Sequence, residues 1–133
     1  MEAFLIGLHS GIRWIVVVVG VIAIIKYLIG WLGNMKFTGL DRGIGVAYTA
    51  SLDLNLLLGL IILIIGIFND LPTAVWRIRG EHLLVMVLAV VAAHMTARWK
   101  KASDNIRFRQ TALFILISMI LIYVGVATVG GWS

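Results

Sequence analysis

Cysteine is absent from this 133-residue chain, and proline occurs once, at Pro72. Without a thiol there is no disulfide framework, zinc–thiolate site, iron–sulfur cluster or covalently attached c-type haem. With one proline, placed between apolar runs, no helix carries a proline kink. Charge is scarce as well: 13% of the residues are charged, while 62% are hydrophobic. A soluble domain carries about 25% charged and 45–50% apolar residues. A chain this short is one domain at most. It cannot hide such an excess inside a globule, so lipid is the solvent for most of its surface.

The net charge of +5 does not point to nucleic acid, because the basic residues lie in loops between apolar runs. That placement reads as topology signal and contact with lipid headgroups.

Four apolar runs, at about 3–32, 44–68, 80–98 and 110–132, each approach or exceed the ~20 residues that a helix needs to cross a hydrocarbon core. They predict an all-α, integral membrane four-helix bundle within one domain, 1–133. The first run has Glu2 and no basic n-region, and it is too long for a signal peptide, so it reads as a retained helix. Loop 1 carries Lys36 and Arg42; loop 3 carries Arg98, Lys100, Lys101, Arg107 and Arg109. Loop 2 carries Arg77 and Arg79, offset in part by Asp70 and Glu81. The positive-inside rule then puts loops 1 and 3 in the cytoplasm and both termini outside. Short loops make the order up-down-up-down. Trp31, Trp76, Trp99 and Trp132 fall at run ends, where an aromatic belt sits. Gly7 and Gly11 form a GxxxG spacing around His9, with Gly59, Gly66 and Gly125 on later helices, and small residues of this kind mark close helix approach.

Few polar side chains are embedded, so each is informative. Helix 1 has His9 and Arg13 at i, i+4; helix 2 has Tyr48, Asp53 and Asn55; helix 3 has His82 and His94. Helix 4, with Ser118, Tyr123 and Thr128, reads as a wall.

His9 and His82 each lie near the start of a helix that begins on the outer side. In an up-down-up-down square, helices 1 and 3 are diagonal, so the two imidazoles meet across the core at one level. That arrangement holds a haem b by both axial positions. Arg13, one turn deeper, then pairs with a propionate or a backbone carbonyl, and Met86 packs on the ring or serves as an alternative ligand. The competing readings are a histidine bonded to a helix end or headgroup, and a divalent-ion site of His9, His82 and Glu81.

His94 is twelve residues past His82, about 18 Å along the helix and about 120° around it. One iron cannot take both, and no second histidine offers His94 a haem of its own. Asp53 on helix 2 lies at comparable depth. Asp53, Asn55 and His94 therefore make a candidate proton-relay or quinone site, or an inter-helix hydrogen bond. Ser10 lacks a catalytic partner set, which argues against serine hydrolysis.

At His9-Ser10-Gly11-Ile12-Arg13-Trp14, Leu56-Leu57-Leu58-Gly59-Leu60 and Glu81-His82…Met86…Ala89…His94, the chain resembles a group of small bacterial four-helix membrane proteins, some labelled cytochrome-b-like. The resemblance covers essentially the whole chain. In that group a His and a Gln precede the Leu-Leu-Gly-Leu stretch; Asp53 and Asn55 stand there in this chain, so no ligand carries over to helix 2. The resemblance implies the same architecture, a multi-pass place in the bacterial inner membrane, and haem.

Two functions follow as expectations. The first is a b-type haem protein that carries electrons between quinone or a redox partner and a haem held by His9 and His82, a carrier rather than a self-sufficient enzyme. The alternative is an accessory subunit of a larger respiratory or photosynthetic complex, without its own cofactor. Either way the partners are lipid and other membrane subunits or further copies of the chain, and not nucleic acid. A transporter or proton channel built on Arg13, Asp53 and His94 would call for broken helices, of which the sequence gives no sign.

Overall fold

The computed structural model describes residues 2–130, so Trp132 and the end of the fourth apolar run lie outside the described residues. The architecture is all-helical: α1 (Glu2–Leu32), α2 (Gly39–Ile67), α3 (Thr73–His94) and α4 (Asp104–Ala127), with α3 continuing into a 3₁₀ turn, Met95–Trp99. All four are long and apolar enough to cross a membrane. Only 17 to 39% of each span's most apolar stretch is buried inside the protein, which leaves the remaining apolar surface to lipid.

Helices α2, α3 and α4 begin five to seven residues before the apolar runs do, because the bonds at their caps, rather than hydropathy, set where each one starts. Thr38 precedes α2, and its N–H and Oγ1–H both donate to Asp41 Oδ2, at 2.9 and 3.1 Å. The capping residue of α3 is Pro72, whose carbonyl accepts from the N–H groups of Val75 and Trp76. Ser103 precedes α4. A hydrophobic run reports where lipid lies, whereas a cap reports where the backbone turns helical.

Helix α1 packs on α2 and α4, and α3 packs on α4 and more lightly on α2, which leaves α1 and α3 diagonal. One half of the bundle holds the largest buried side chains. Tyr27, Tyr48, Phe108 and Ile115 are fully buried there, and Ala89 and Ala93 let α3 approach closely. Gly20 and Gly30 also belong to this half: a Cβ at Gly20 would run into Tyr48 and Met119, and one at Gly30 into the Phe108 ring. Gly7 and Gly11, by contrast, meet nothing within 4 Å and face outward, so this GxxxG spacing is not a packing face within the chain.

Buried polar groups tie this half together. Ser118 Oγ–H donates to Ala89 O at 2.8 Å and accepts from Tyr48 O–H at 2.8 Å, which joins α2, α3 and α4. Asp41 Oδ1 takes Lys26 Nζ at 2.7 Å, while its backbone carbonyl takes Tyr27 O–H at 2.7 Å. This pins the end of α1 to the start of α2.

Candidate functional site

The other half of the bundle is hollow. All four helices wall a cavity of about 480 Å3, within the 300–1,000 Å3 typical of small-molecule and cofactor sites. Its lining is mostly apolar, with Leu52, Leu56, Leu83 and Ile122 among the walls, and it includes His9, Arg13, Asn55, Arg79, His82 and Met86.

His9 from α1 and His82 from α3 meet across the bundle, their ring centroids 6.3 Å apart and their planes at 81°. Two imidazoles sharing one ion in line, each through a nitrogen at about 2.0–2.1 Å, place their centroids about 6.4 Å apart. An edge-to-face ring contact spans the same range, so the wiring of the nitrogens has to separate the two cases. His82 Nδ1–H donates to Gly125 O at 2.7 Å. In the neutral ring this fixes the tautomer and leaves Nε2 with its lone pair, the usual condition of a histidine that ligates a metal. Asn55 is the polar neighbour of the His9 ring. Even so, His9 Nδ1 and Asn55 Oδ1 are both buried without a well-formed hydrogen bond. Two loosely paired buried polar atoms, one from α1 and one from α2, mark a place that a ligand or ordered water completes.

Glycines make room for these rings. A Cβ at Gly59 would stand 3.2 Å from His9 Cε1, and one at Gly125 would meet Met86 Cε at 2.5 Å. Met86 thus packs over the same residue whose carbonyl holds His82. Arg13 also sits near Trp14, its guanidinium carbon 5.3 Å from the ring centroid.

Arg79 was counted above only as loop charge. It lies within α3, three residues before His82 and therefore on the same face. Its side chain lines the cavity and reaches toward Gly66. The i, i+3 spacing was the available signal, but reading α3 as starting near residue 80 hid it. Glu81 is not part of this group: it accepts from Arg77 on the surface at 3.2 Å. Among the described residues, no three His, Cys, Asp or Glu side chains come together as a metal-binding group.

The second candidate group divides. Asp53 and His94 do meet, with His94 Nε2 lying 2.9 Å from each carboxylate oxygen. Both side chains are about half exposed where α2 faces α3. Asn55 is elsewhere, in the histidine cavity. Two residues along a helix turn it by about 200°, which sends Asp53 and Asn55 to opposite faces.

The fold and site together define a four-helix membrane bundle with a paired-histidine cavity in one half. Comparison with family models, curated proteins and solved structures found no match for this chain.

Proposed function

We propose that the protein is a membrane-embedded electron carrier whose cavity would hold one haem b, with His9 and His82 as the residues that would ligate it. The observation that carries this reading is the facing pair of imidazoles, 6.3 Å apart, one of them already oriented by a backbone carbonyl. The chemistry of the lining agrees: an apolar wall for a macrocycle, and the guanidinium groups of Arg13 and Arg79 for its propionates. When bound, haem supplies a one-electron couple. The chain's own part would be to present two imidazoles from diagonal helices and to surround the group with an apolar wall. Gly125 O holds the His82 tautomer. Asp53 and His94, half exposed among apolar helices, offer an acceptor and a donor to a quinone arriving through the lipid, the exchange partner in this reading.

The helices alternate up and down, with both termini on the outer side of the bacterial inner membrane. The contacts from Tyr27 to Asp41, Gly20 to Tyr48 and His9 to Gly59 descend α1 as they climb α2, which supports the alternation for this first pair; the sidedness rests on the basic loops alone.

The test is a visible spectrum of the detergent-purified protein, oxidised and dithionite-reduced, beside His9→Ala and His82→Ala. The expected result is a sharp reduced α-band in the wild type that both substitutions abolish. A colourless wild type, produced with ample haem, would overturn the proposal and leave the accessory-subunit reading.

A further inference from the structure

At the far end of the bundle from His9 and His82 lies a second cavity, of about 280 Å3, lined in part by His94. Arg42 from the first turn of α2, Lys100 just past the 3₁₀ turn and Arg107 from the first turn of α4 all line it. The start of α2 and the connection into α4 thus bring three cations to one opening. No Asp or Glu lines it, and among the described residues none of the three forms an ion pair. Of the acids on the neighbouring segments, Asp41 takes Lys26 and Thr38, and Asp53 takes His94, while Asp104, at the start of α4, is exposed and does not line the opening. Arg107 is held in place, half-buried, its guanidinium carbon 3.8 Å from the centroid of the Phe37 ring.

Arg42 and Lys100 are exposed and Arg107 is half-buried, and like charges gathered at one opening repel one another unless an anion sits among them. Depth indicates which anion. The starts of α2 and α4 meet the end of α1 here, as the contact from Asn105 Nδ2 to Trp31 O at 3.4 Å records. This is where the spans leave the hydrocarbon, with Trp31 and Trp99 at the same end, the level of the lipid phosphates. We propose that this cavity binds the phosphate of an anionic phospholipid. Arg107 is the fixed arm, and Arg42 and Lys100 close on the remaining oxygens. Basic pockets between membrane helices serve this purpose, and a guanidinium matches phosphate oxygens two at a time. The site stands independently of any haem.

The experiment is native mass spectrometry of the full chain in detergent, with phosphatidylglycerol or phosphatidylcholine added in equal amounts. The wild type should retain phosphatidylglycerol adducts at least tenfold over phosphatidylcholine. The Arg42→Gln/Lys100→Gln/Arg107→Gln variant should lose that preference. The Lys36→Gln/Lys101→Gln/Arg109→Gln variant, which removes the same charge outside the cavity, should keep it. Equal losses in both variants would reduce the effect to general attraction and overturn the site, as would equal retention of the two lipids by the wild type. Millimolar inorganic phosphate should leave the lipid adduct in place; displacement would overturn the lipid as the ligand in favour of free phosphate. Circular dichroism of both variants shows that each is helical, and Arg107→Gln alone, with a partial loss, repeats the test on a milder change.

Discussion

A methyl group added at Gly59 would stand 3.2 Å from His9 Cε1, so this glycine sets where the imidazole lies. Gly59→Ala should be tolerated with a small ring shift, whereas Gly59→Val should displace the ring and cut haem retention several-fold with helix content unchanged. Haem-to-protein ratio measured beside circular dichroism reads both. At Asn55, the loosely paired Oδ1 beside the loosely paired His9 Nδ1 makes Asn55→Leu a sharper change than its size suggests. It should weaken haem retention without removing a ligand, and Asn55→Gln should restore part of the loss. Tyr48 and Ser118 make an asymmetric pair. Tyr48→Phe leaves Ser118 still donating to Ala89 O, at a cost near the ~0.6 kcal/mol average for inter-helix hydrogen bonds in membranes. Ser118→Ala strands the buried Tyr48 hydroxyl and should cost about 1–3 kcal/mol. Unfolding in mixed micelles of detergent and dodecyl sulfate orders the two, and equal costs would contradict the hydrogen-bond directions given above.

At the scale of the element, the junction of α1 and α2 hangs on Asp41. Its carboxylate is almost wholly buried and serves Lys26 and both donors of Thr38. Asp41→Ala leaves three donors without their acceptor and removes the cap of α2. The expected loss is about 3 kcal/mol or more, by analogy with breaking a buried charge pair. Asp41→Asn should lose less, because Thr38 can still donate to the amide oxygen. Hydrogen exchange confined to the first turns of α2 would locate the damage. Helix starts were the least legible part of the sequence for the same reason: Thr38, Pro72 and Ser103 act through backbone geometry, which hydropathy does not record.

At the scale of the molecule, the hollow half and the half with the largest buried side chains divide the labour. Aromatic rings and a buried hydroxyl network fix the helices at one end, so the other end can hold a cavity open without the bundle collapsing into it. Orientation is testable because the chain has no cysteine of its own. Single cysteines at Lys36 and Lys101 should be shielded from an impermeant maleimide in intact cells, and one at Asn69 should react. The reverse pattern would invert the topology proposed above.

Length and hydropathy suffice to assign the chain to lipid as four helices, because they set what a bilayer accepts. The sequence by itself also brought forward His9, His82, Asp53 and His94, since ionisable groups in apolar runs are rare enough to stand out. Tertiary structure alone decided which of these meet: that the His82 ring is held by the Gly125 carbonyl, that Asn55 leaves Asp53 for the histidine cavity, and that Arg79 joins it. It also gathered Arg42, Lys100 and Arg107 at one opening. Contacts such as those of Asp53 with His94 and of His9 with His82, 41 and 73 positions apart, depend on helix rotation and on the exact start of each helix, and a shift of one residue turns a side chain by about 100°. Hydropathy is nearly blind to such a shift, and packing is not.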